Sequence, residues 1–122
     1  MKTAPFDVRT EVLEDGLHVF AVSGELDLNT APELREPLEQ AIESRAPGLM
    51  VDLTNCDFID STGIAVLVGA WQTLEDRGAG DGSRVALCCP NAQVRRVLEL
   101  TGVIDAIALH SERDAAIASL QS

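Results

Sequence analysis

One hydroxyl in this chain stands where it could carry chemistry. Ser61 lies in the tract Asp57-Phe58-Ile59-Asp60-Ser61-Thr62-Gly63-Ile64-Ala65-Val66-Leu67-Val68-Gly69, where an apolar run ends at Asp60 and a helical pattern begins. A serine at such a turn can cap the helix, its oxygen accepting a backbone N–H of the first turn. It can equally accept a phosphate, because the first N–H groups are unpaired and the helix dipole is positive there. Gly63 lets another surface approach the turn closely. Spacing alone leaves both roles open. Serine hydrolases also present a nucleophile at a strand-to-helix turn, but in a Gly-x-Ser-x-Gly frame and with a histidine base. Ser61 lacks that frame, and His18 and His110 fall in strand-like segments with no sign of serving it. No catalytic residue is assigned, and the chain is expected not to be an enzyme.

The elements that position Ser61 must come from one domain, since 122 residues fit a single unit over 1–122 and suffice for a core without staples. Hydrophobic residues at 46% and charged residues at 24% match ordinary globular composition and argue against disorder. Twenty acidic against nine basic side chains give a net charge of −11, which repels phosphate backbones. With an aromatic share of 3%, base-stacking platforms are lacking too, so nucleic acid is a poor partner. No apolar run approaches the roughly 20 residues that span a bilayer, and the N-terminus lacks a signal peptide's apolar core. A cytoplasmic protein with no membrane partner is expected. Cys56, Cys88 and Cys89 are odd in number and two are adjacent, a poor layout for disulfides, so reduced and mostly buried thiols are expected. With only two histidines beside them, neither a metal nor a cofactor is implied.

Val8 to Leu13 alternates apolar and polar residues, Glu14-Asp15-Gly16 supplies a turn, and Leu17 to Val22 resumes a strand, which together read as a hairpin. A helix follows with Thr30 as cap and Pro32 in its first turn. Its face is Leu34, Leu38, Ala41 and Ile42, and Pro37 inside it should bend or break it. Leu49 to Leu53 reads as a central strand buried on both faces. Ile64 to Leu74 is apolar nearly all round and reads as a largely buried helix, ended by the loop Arg77-Gly78-Ala79-Gly80-Asp81-Gly82. Arg84 to Cys89 is a strand, and Pro90-Asn91 opens a helix with Val94, Val97, Leu98 and Leu100 inward. Thr101-Gly102 stops it. Val103 to Leu109 holds a last strand, and Ser111 caps a final helix. Alternation of this kind demands crossovers, hence an α/β fold with a mixed, mostly parallel sheet of about five strands flanked by about four helices.

Three motifs stand in order along this pattern. They are Gly24-Glu25-Leu26-Asp27, Asp60-Ser61-Thr62-Gly63, and Asn-Ala-Gln-Val-Arg-Arg-Val-Leu-Glu-Leu-Thr-Gly from Asn91 to Gly102. With them the chain resembles the STAS domain of bacterial anti-sigma factor antagonists, from about residue 6 to 120. The resemblance implies a STAS fold and a partner switch that regulates transcription under stress. In such a switch, a serine at the position of Ser61 is phosphorylated by an anti-sigma factor that is itself a serine kinase, with an ATP-binding fold of the histidine-kinase type. The unphosphorylated form binds that kinase and releases the sigma factor, and a PP2C-type phosphatase restores it. The chain would then be a substrate and a binding module, a monomer or a weak homodimer.

On this resemblance the partner surface comprises Asp27, Leu28, Asn29, Thr30, Asp60, Ser61, Thr62, Gly63 and Ile64. Asp27 either contacts the kinase or the Ser61 hydroxyl, or is a turn residue. Asp60 either orients the hydroxyl or ends the strand. Thr62 reads as a helix-start residue. Ile64 and Ala65 stand where the family often has leucine and glycine, and the second change alters how closely a partner can pack. Arg95, Arg96 and Glu99 read as a solvated face. STAS domains also serve as regulatory modules that bind a nucleotide or another small ligand, or as parts of larger assemblies. The glycine-rich loop from Gly78 to Gly82 has neither the order nor the lysine of a phosphate-binding loop.

Overall fold

The structure, a computed structural model, describes residues 5–77 and 84–121. The chain forms β1 (Asp7–Val12), β2 (His18–Leu26), α1 (Ala31–Glu43), β3 (Gly48–Ile59), α2 (Ser61–Asp76), β4 (Arg84–Cys88), α3 (Ala92–Leu100), a 3-10 turn (Val103–Asp105), β5 (Ala108–His110) and α4 (Arg113–Gln121). The strands lie side by side in chain order, with β1 antiparallel to β2 and all later pairs parallel. Among the described residues this is the expected mixed sheet of five strands with four helices. Crossovers of one hand along an order that never reverses put successive helices on one face. Accordingly Leu34 and Leu38 of α1, Leu67 of α2 and Leu98 of α3 share one core with Phe20, Val22 and Val51. α4 covers a smaller core on the other face, built on Leu17, Val19, Met50 and Ala86.

Several expectations change. β2 runs on through Gly24-Glu25-Leu26 and β3 through Ile59, so both strands reach the turn that carries Ser61. α1 is continuous across Pro37. Burial of Leu34 before the proline and Leu38, Ala41 and Ile42 after it outweighs the one hydrogen bond that proline removes. α2 leaves Ala65, Gly69 and Thr73 exposed, so it is buried along one side and not all round. Leu100 is 73% exposed, because it falls off the Val94–Leu98 stripe of α3. Of Val103 to Leu109 the first part is a 3-10 turn. Ser111 lies two residues before α4 and its hydroxyl accepts from Arg95 Nη1 instead of capping that helix. The glycine-rich stretch from Gly78 to Gly82 lies outside the described residues.

Candidate functional site

The carboxyl ends of β2 and β3 finish together. Leu26 stands opposite Ile59, and the Asp60 N–H donates to the Leu26 carbonyl at 3.2 Å. The segments that follow, Asp27 to Thr30 and Asp60 to Ile64, therefore meet at one end of the sheet. Asp27 shapes the first of them: its Oδ1 accepts the N–H of Asn29 at 2.9 Å and of Thr30 at 3.2 Å. The Thr30 hydroxyl accepts from Asp27 N at 2.9 Å and donates to the Glu25 carbonyl at 2.7 Å. Thr30 thus holds the cap position of α1 without capping it through its side chain, because closer partners in its own turn take the hydroxyl. On the tip of this tied loop Leu28 is 69% exposed.

At the second segment the cap of α2 is Asp60. Its backbone is extended, and Oδ1 accepts the N–H of Thr62 at 2.9 Å and of Gly63 at 3.0 Å. This corrects the reading of Ser61 as a cap. The carboxylate one residue earlier already satisfies the donors that a capping serine would serve. Ser61 is the first helical residue, it is exposed, and its hydroxyl makes no hydrogen bond to a described residue. Gly63 and Ile64 are buried. A Cβ on Gly63 would lie 2.8 Å from Leu26 Cγ and 2.9 Å from Ile59 Cγ1, so the surface that approaches this glycine is the chain's own β2 end. Both residues shape the turn from beneath and present no side chain outward.

Residues 25–30 and 57–64 hold Glu25, Asp27, Asp57 and Asp60 and no lysine or arginine. Beside them Phe58 is 47% exposed, on the face of β3 opposite to Ile59. Sequence reading passed over it as part of an apolar run, although the two-residue period of a strand puts Phe58 and Ile59 on opposite faces. Burial pushes the thiol of Cys56, on β3 before the turn, up to about 11, and also raises Cys88 and Cys89 farther from it. His18 pairs with Leu49 at the far end of β3, about 33 Å along the strand from Ile59. His110 is in line with Cys88 and Asp52, about 23 Å short of it. Neither histidine reaches Ser61. A groove of about 430 Å³ separates α1 from α2, with Leu38 and Val66 in its lining. Arg35 and Arg77 on its rim are balanced by Glu39 and Glu43, a poor match to a polyphosphate.

The STAS domain profile matches residues 9–116, and the chain belongs to the STAS domain family. It is 37% identical over 93 residues to the anti-sigma-B factor antagonist of Listeria monocytogenes, covering 76% of this chain and 77% of that protein. To the anti-sigma F factor antagonist of Paenibacillus polymyxa it is 27% identical over 107 residues, covering 87% and 88%. The crystal structure of an anti-sigma factor antagonist from Mycobacterium paratuberculosis superposes with a TM-score of 0.81 at 29% identity, covering 97% of this chain and 96% of that one.

Proposed function

We propose that this chain is an anti-sigma factor antagonist whose unphosphorylated form binds an anti-sigma factor, and that phosphorylation of Ser61 switches the binding off. The observation that carries the reading is the division of labour at the turn. Asp60 caps α2, and the exposed Ser61 hydroxyl is left without structural work. A phosphate there adds roughly −1.5 to −2 charges. The helix start tolerates it, so the fold survives. A docked partner does not: burying that charge against an unmatched surface costs several kcal/mol, and about 1.4 kcal/mol is already tenfold in affinity. Electrostatics and sterics then operate the switch without refolding.

The finer assignments belong to the same reading. The anti-sigma factor is a serine kinase with a histidine-kinase-type ATP-binding fold, a PP2C-type phosphatase reverses the modification, and the chain is a cytoplasmic substrate of one STAS domain. The contact surface runs over Asp27, Leu28, Asn29, Thr30, Asp60, Ser61 and Thr62, shaped from below by Gly63 and Ile64, and we add Phe58 to it. Mass mapping after incubation with ATP and cytosol from the protein's own source tests the proposal. Modification confined to Ser61 supports it. No modification, with a kinase of that fold present in the cytosol, refutes the switch.

A further inference from the structure

The two faces of the sheet are built differently. Under α1, α2 and α3 the core is apolar, with Cys56 and Cys89 buried in it. Under α4 the polar groups collect. Asp52, the one buried charge among the described residues, lies there on β3. Cys88 is in register beside Asp52, and His110 beside Cys88, so one row across β3, β4 and β5 carries a carboxylate, a thiol and an imidazole. The Asp52 carboxylate accepts the N–H of Thr54 at 3.0 Å and also its hydroxyl, which lies 3.9 Å from Cys88 Sγ. His110 Nε2 is buried without a hydrogen-bond partner among the described residues.

The cover over this row is slight. α4 has nine residues, too few to be helical on its own, and its buried side chains are Ala116 and Leu120. Polar ties hold its ends. Arg113 Nη2 donates to Glu11 Oε1 at 2.7 Å, with Nη1 3.7 Å from Asp52 Oδ2. At the other end Arg84 Nη2 donates to the Leu120 carbonyl at 3.2 Å, and Gln121 Nε2 to Asp15 Oδ2 at 2.9 Å. Lifting α4 hydrates Asp52 and gives His110 Nε2 a water, which offsets part of the lost apolar contact. Lifting α1 or α2 exposes apolar surface with no such return.

We propose that α4 opens off the sheet as a unit while the rest of the fold stays closed, that Arg113 is its clasp, and that Cys88 meets solvent only in this open form. The three cysteines supply an internal test, since one lies under α4 and two in the main core. The intact protein is treated with iodoacetamide under native conditions, and the initial rate at each thiol is divided by its rate in the urea-unfolded chain. Cys88 should react at least tenfold faster than Cys56 and Cys89. Arg113→Ala should raise the Cys88 rate at least a further tenfold, leave the other two unchanged, and speed hydrogen exchange in α4 alone. Should Arg113→Ala fail to fold, Glu11→Gln loosens the same tie and should move Cys88 in the same direction. Three thiols reacting at one rate, or a clasp variant that raises all three in equal ratio, would overturn the proposal.

Discussion

Leu26 occupies the space that a side chain at Gly63 would need. With Leu26 Cγ at 2.8 Å and the Leu26 carbonyl at 3.0 Å from an ideal Cβ, the end of β2 is seated directly on the first turn of α2. Gly63→Ala should therefore cost about 1–3 kcal/mol through overpacking. Gly69, two turns further along the same helix, has nothing within 4 Å of such a Cβ. Gly69→Ala should stabilise by about 0.5–1 kcal/mol through helix propensity. Urea titration of both variants checks the contrast, and equal effects would contradict the packing described.

Removing the cap is a separate matter. Asp60→Ala strips both the Thr62 and the Gly63 N–H of their acceptor and should cost about 1 kcal/mol, whereas Asp60→Asn keeps an oxygen in place and should cost much less. A loss of equal size in both variants would mean that the charge, and not the cap geometry, is what matters.

At Ser61 stability and binding should separate. Ser61→Ala and Ser61→Asp should both unfold within about 0.5 kcal/mol of the wild type, because the hydroxyl bonds to no described residue. Ser61→Ala should abolish modification and keep capture of the anti-sigma factor, while Ser61→Asp weakens capture. Phe58→Ala should weaken it as well, by about 1–2 kcal/mol, as a half-exposed aromatic that a docked partner would bury. Equal capture by the alanine and aspartate variants of Ser61 would end the switch hypothesis.

Alkaline solution should destabilise the protein through its thiols. Burial raises Cys56 from 9.0 to about 11, with Cys88 and Cys89 raised as well. A raised folded value stabilises the protonated form, so this stability is fully present below pH 9 and fades as the pH climbs toward 11. The Cys56 share is on the order of 2–3 kcal/mol. Cys56→Ala should flatten the fall in urea-derived stability over that window, and an unchanged slope would argue against it.

The pattern of elements was legible because strand and helix periods are local. Leu34, Leu38, Ala41 and Ile42 line up at helical spacing in the sequence and are buried in the structure. The misreadings arose where the outcome depended on neighbours distant in the chain. Nothing local says that Leu26 will stand opposite Ile59, and it is this pairing that extends both strands to the turn and fills the space at Gly63. The cap failed for a different reason: Asp60 and Ser61 are both good capping residues at adjacent positions, and a shift of one residue decides which oxygen reaches the N–H groups. Leu100 looked inward only while the axis of α3 was drawn through the wrong residues.

The strand order that runs in step with the chain bears on how the molecule is born. Each strand pairs with the one made just before it, so the hairpin of β1 and β2 can form while the remainder is still being synthesised, and each crossover then adds a single strand. Until it does, the newest strand is a bare parallel edge, apolar at Leu49-Met50-Val51 in β3 and again at Val85-Ala86-Leu87 in β4. A ribosome that stalls after either strand holds out a sticky template. Among the described residues the edge on that side is β5, three residues long, and so short an edge offers a stray chain little to pair with.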